Sequence, residues 1–95
     1  MTNNRMSTEA FIVSLGYNCK YYRRHGEKNS AVGIYDKGEG ASRISVVFAR
    51  LLQGEMATVI AGEKSTVVEG KRRGRVINQE ELAKVLEMAE KLCTK

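Results

Sequence analysis

Four cations fall within five residues at Lys71, Arg72, Arg73 and Arg75. Held on one loop they repel one another, and a polyanion relieves that repulsion. Each phosphate neutralised releases counterions, which drives binding and makes it salt-dependent. Three of the four are arginines, whose planar fork suits bidentate phosphate contact. A second cluster, Lys20, Tyr21, Tyr22, Arg23 and Arg24, interleaves aromatic rings with cations. That combination can stack bases while the charges hold a backbone. The plainer alternatives are a solvated hairpin tip for the first run and a core position for Tyr21. Tyr22 falls on the opposite, more exposed face.

Other chemistry finds little support. The one histidine, His25, sits in a charged stretch, whereas a general base needs a pocket and an orienting partner. Cys19, His25 and Cys93 supply at most three metal ligands, without close paired spacing, where zinc sites usually want four. Gly38-Glu39-Gly40 lacks the third glycine of a dinucleotide fingerprint. The expectation is a binding protein rather than an enzyme, with neither metal nor cofactor.

The chain as a whole favours an anionic partner. Its 95 residues carry a net charge of +5, and residues 1–77 hold thirteen basic against seven acidic side chains. Residues 78–95 reverse the balance, with three basic and four acidic. The positive field therefore belongs to everything except the C-terminal segment. The two cysteines, far apart, read as free thiols of a reducing compartment. No stretch approaches the roughly 18–20 apolar residues of a membrane span and no signal-peptide pattern opens the chain. The expected setting is intracellular, cytoplasmic or nucleoid-associated.

These residues need elements to position them. Residues 1–9 are polar and expected to fray. Phe11, Val13, Leu15, Tyr17, Cys19 and Tyr21 alternate, which predicts a strand or bent hairpin. The competing reading is a helix capped by Ser7 or Thr8 and ended by Gly16. Residues 23–30 read as a turn, 31–35 as a strand and 36–42 as a glycine-containing loop. Residues 43–52 fit helical spacing, yet their Ile-Val-Val-Phe content favours a strand. Residues 56–61 and 65–69 read as strands and 70–74 as a basic loop, with a short strand at 75–77. Asn78 then caps a helix with Glu81 as its capping-box partner, and Leu82, Val85, Leu86, Ala89 and Leu92 form its apolar stripe. Strands followed by one amphipathic helix imply an α+β fold, an antiparallel sheet covered on one face. The open face is expected to carry the positive charge. Residues 1–30 are read as an N-terminal extension with an extra strand or helix, and 31–95 as the sheet-plus-helix domain.

The run from Gly70 to Leu82, a basic glycine-containing turn, a short strand, an Asn cap and a Glu-containing helix, resembles the end of the single-stranded-DNA-binding domain of the transcriptional coactivator family called positive cofactor four. Element order upstream agrees, with strands at 31–37, 43–52 and 56–69. The resemblance implies a curved sheet of about four antiparallel strands backed by the C-terminal helix. Two such units pair through their helices, which makes Leu82, Val85, Leu86, Ala89 and Leu92 the dimer interface. By position Lys71, Arg72 and Arg73 match the family's basic turn. Arg43 and Arg50 match its cationic second strand, and Lys37 and Lys64 add to the same surface. Arg75 stands where an aliphatic residue is usual, Leu82 replaces an aromatic, and residues 56–61 lack the family's aromatic and arginine. Tyr35 or Phe48 would then do the stacking. Residues 1–30 have no counterpart.

The implied function is homodimeric, sequence-nonspecific binding of single-stranded DNA, RNA or melted duplex, in contact with transcription, recombination or replication machinery. One alternative is a double-strand-specific regulator of swapped-hairpin type, for which residues 43–52 would be helical. Another is an interaction or inhibitor protein that turns the same basic face to an acidic partner.

Overall fold

The computed structural model describes residues 6–25, 30–51, 54–70 and 76–93. Helix α1 (Thr8–Ser14) is followed by five strands: β1 (Asn18–His25), β2 (Ser30–Lys37), β3 (Ile44–Leu51), β4 (Gly54–Ala61) and β5 (Lys64–Glu69). Helix α2 (Gln79–Cys93) closes the chain. The strands form one antiparallel meander in sequence order, β1-β2-β3-β4-β5. The expected α+β class and backing helix are present, with one more strand than the resemblance implied and a helix ahead of the sheet.

The segment expected to start a strand at Phe11 is helical instead. Ser7 caps it, its hydroxyl accepting from the Ala10 amide at 3.1 Å and its carbonyl from Phe11 at 2.9 Å. That satisfies amide groups which a strand start would leave to a neighbour. Helical spacing also brings Phe11 and Leu15 beside the fully buried Ile12. The turn ends at Gly16, whose φ of 98° is open to glycine and costly for other residues. Only from Asn18 does extended backbone begin, and it continues to His25, where a turn was expected.

Of residues 43–52, Ile44–Leu51 form a strand, β3, which is paired on both sides, and Leu52 lies outside the described residues. Its central position explains why: Ile44, Val46 and Phe48 are buried in one direction while Ser45, Val47 and Ala49 point the other way. A β-branched run meets two neighbours there, which outweighs its helical spacing. The expected short strand at 75–77 is absent at Val76 and Ile77, which are irregular, and Arg75 lies outside the described residues.

Asn78 caps α2 as expected, its side-chain oxygen accepting from the Glu81 amide at 3.0 Å. The stripe of α2 then packs on the sheet, chiefly on β4. Leu82, Leu86 and Ala89 join Tyr35, Val46, Phe48, Val59 and Val68 in a single core. From α1, the start of the sheet and the segment before α2, that core also takes Ile12, Tyr17 and Ile77. Residues 6–25 are therefore part of the same packed unit and not an appendage to it. Gly33 has a packing reason in mid-strand: a Cβ there would sit 2.8 Å from the Tyr35 ring, which lies against it. No helix of the described residues is long and apolar enough to cross a membrane.

Candidate nucleic-acid interface

Alternation along the strands divides the cations between two faces and two ends of the sheet. Pairing aligns Arg24, Ala31, Arg50 and Glu55 in one row on the helix-covered face. The same row ends at Gly70, whose amide donates to the Glu55 carbonyl at 3.0 Å. Arg23 starts the neighbouring row on the open face, followed by Val32, Ala49, Met56 and Glu69.

Within the first row, Arg50 is committed to the protein itself. Its Nη2 lies 2.6 Å from Glu9 Oε1 and its Nε 3.2 Å from Glu55 Oε2. Glu55, buried, also accepts from the Thr8 hydroxyl at 2.6 Å and from the Ile77 amide at 3.2 Å. These bonds join α1, β3, β4 and the lead-in to α2 through one carboxylate. Burial alone would raise the Glu9 carboxyl, yet the hydrogen bond and charge of Arg50 hold it below the ordinary range. The same hydrogen bond raises Arg50 against the effect of burial. Arg50 was expected on the nucleic-acid surface, and this network corrects that. Glu9 and Glu55 went unremarked as partners of Arg50, and Thr8 was read only as a candidate cap. Only Glu55 left a signal, standing across a tight hairpin from Arg50.

Lys37 is corrected likewise. Its ammonium group donates to the Leu15 carbonyl at 3.0 Å, closing the end of α1, and pairs with Glu90 at 3.3 Å. It also lies 5.3 Å from the centre of the Tyr17 ring. Arg43 is exposed, 3.9 Å from Asp36. Lys64 is exposed at the start of β5 and lines a groove of about 130 Å³ with Met88 and Leu92. Both sit at the end of the sheet opposite Arg24. The expected stacking rings are core: Phe48 is 0% and Tyr35 2% exposed, and burial pushes the Tyr35 hydroxyl up to about 12. Leu82, Leu86 and Ala89 are buried inside the protomer, so the helix stripe is unavailable as a dimer seam; Val85 is half-buried and Leu92 exposed.

Strand β1 presents the other expected cluster. It is an open edge of the sheet, and Lys20, Tyr21, Tyr22, Arg23 and Arg24 are all exposed. A bulge between Cys19 and Tyr21 interrupts the pairing there. Tyr21 is not core, as its place in the alternation suggested; it stands on the open face at 46% exposure. Tyr22 is 44% exposed on the helix side, its hydroxyl donating to Glu9 at 3.4 Å. Among the described residues none of Lys20, Arg23 and Arg24 takes part in an ion pair. Unpaired charge on an edge strand also keeps other sheets from adding to it.

Lys71, Arg72, Arg73 and Arg75 lie outside the described residues. Their flanks are fixed, Gly70 to the Glu55 backbone and Ile77 to its side chain. Gly70 and Ile77, on either side of that segment, thus lie at the same end of the sheet as Arg24. The open face is not the basic surface expected of it. Among the described strand residues whose side is fixed by pairing it carries one cation, Arg23, and two carboxylates, Asp36 and Glu69, around mainly aliphatic central rows. Compared with protein-family models, curated proteins and solved structures, the chain matches none of them.

Proposed function

We propose that the protein binds single-stranded nucleic acid along one end of its sheet, from β1 to the basic segment after β5. The observation that carries this reading is the set of exposed side chains on β1: Lys20 and Arg24, unpaired among the described residues, stand two positions either side of Tyr22, whose ring is half-exposed. Cations at that spacing hold a backbone while an aromatic face takes a base. Four inter-strand spacings, about 19 Å, separate β1 from β5. A strand crossing that width meets Arg24 at one side and the flanks of Lys71, Arg72, Arg73 and Arg75 at the other. Contacts of this kind recognise phosphate and a π-face and carry little sequence information.

The extended conformation of Ile44–Leu51 supports this reading over a swapped-hairpin regulator of duplex DNA, which calls for a helix there. The resemblance to the positive cofactor four family points the same way through its basic turn and capped helix, although the single strand it implied at 56–69 is the pair β4 and β5 and the working surface moves from the open face to the sheet end.

Fluorescence anisotropy with a labelled single-stranded oligonucleotide, titrated at several salt concentrations, tests the proposal. The Lys20→Ala, Arg24→Ala pair should lower the slope of log affinity against log salt by about 1.4, roughly 0.7 for each phosphate no longer neutralised. Tyr22→Ala should cost about 1–3 kcal/mol with the slope unchanged. An unaltered slope and affinity in both variants would remove β1 from the interface.

A further inference from the structure

The open face of the sheet is mainly apolar across its two central rows, and no described element packs on it. Its two central rows read Tyr21, Ile34, Val47, Thr58, Val67 and Arg23, Val32, Ala49, Met56, Glu69 across the five strands. Both helices bury their apolar sides against the opposite face. Antiparallel sheets that turn one face to water normally alternate apolar and polar residues. Here both directions of the pleat are apolar through the middle of β2, β3 and β4. An apolar patch of this continuity marks an interaction surface.

The arrangement of charge on the face specifies the occupant. Arg23 and Glu69 stand in the same row at opposite edges, with only apolar side chains between them. A two-fold axis parallel to the strands and passing over β3 turns one copy onto another so that β1 faces β5 and each row faces itself. Arg23 of each copy then meets Glu69 of the other, and the small Ala49 meets Ala49 on the axis. A two-fold perpendicular to the strands would instead face β1 with β1 and β5 with β5, so that Arg23 and Glu69 never meet. Stacked sheets twist about 30° relative to one another, which displaces edge residues by about 5 Å, within the span of an arginine side chain. Five strands by about six residues give a face near 24 by 20 Å, or roughly 1,000 Å² buried in total, the lower end of stable association.

We infer that this face is the interface between two copies of the chain, packed sheet to sheet about a two-fold axis parallel to the strands. The operator keeps the sheet ends in register, so Gly70 and Ile77 of both copies stand at one end of the dimer, while α1 and α2 lie outside. Arg23 is then an interface residue, and Lys20, Tyr22 and Arg24 remain accessible at the edges. The inference stands apart from the proposed function, since the association can be measured without nucleic acid.

Sedimentation equilibrium over a concentration series reads it directly. Wild type should associate as a dimer, weakly enough that both species are seen. Val47→Asp, on the central strand, should weaken association at least a hundredfold, with folding checked by circular dichroism. Charge reversal avoids the core altogether: Arg23→Glu and Glu69→Arg should each weaken the dimer about tenfold, because symmetry repeats each repulsion. The double variant should return to within about threefold of wild type. A wild type monomeric at its highest soluble concentration would overturn the inference, as would a double variant no tighter than the singles. Dissociation by Met88→Glu with Val47→Asp unaffected would also overturn it, moving the contact to the groove beside α2.

Discussion

Arg50 illustrates how little an isolated charge says about its use. It stands on a strand with other cations in the chain around it, and its type alone suits phosphate. Its row on the helix-covered face and the carboxylates of Glu9 and Glu55 turn it inward. Glu55 was within reach of sequence reasoning, as the residue across a short hairpin from Arg50. Glu9, 41 positions away, was not. Arg50→Ala would leave the buried Glu55 carboxylate without its counter-charge, and chemical denaturation should show a loss of about 2–3 kcal/mol. The lowered Glu9 carboxyl gives the protein a pH dependence of definite sign. A group depressed on folding contributes its stabilisation above its unfolded titration and loses it as pH falls through the folded one. Thermal stability should therefore fall from the ordinary carboxylate range downward, and Glu9→Gln should flatten that fall. An unchanged acid profile in that variant would detach Glu9 from the effect.

At the scale of elements, α2 was legible because cap, stripe and length agreed, and β4 and β5 because short apolar runs were bounded by glycine. Residues 11–21 misled because two signals overlap. Their alternation runs through the last turns of a helix and into a strand, and Gly16 marks the junction rather than a bend in a hairpin. Ser7 was the residue to weigh, since its cap fixes the start of α1. Ser7→Ala should cost about 1 kcal/mol in a denaturant titration, whereas a strand in that region would be indifferent to the change. Residues 43–52 carried both periodicities, and their state was decided by tertiary pairing that no local pattern contains. The faces of β1 were equally hidden: the bulge after Cys19 shifts register, which sends Tyr21 to the open face where strict alternation had placed it with the core.

Across the whole molecule, the excess of positive charge was read correctly as a quantity and incorrectly as a surface. The expectation was an open sheet face lined with cations. Lys37 and Arg50 instead hold the two helices to the sheet, Arg43 and Lys64 lie at the far end, and the centre of the open face is mainly aliphatic. Nothing in composition separates a cation that binds a ligand from one that binds its own fold. In the proposed reading a polyanion takes the edge strand β1 and the sheet end that Gly70 shares, while the apolar rows suit a second copy of the chain. The most direct test of this division is a backbone amide NMR titration with a short single-stranded oligonucleotide. Shifts should concentrate at residues 20–24 and at Gly70 and Val76, leaving Val47, Thr58 and Val67 undisturbed. Shifts centred on Val47, Thr58 and Val67, with residues 20–24 silent, would contradict the account.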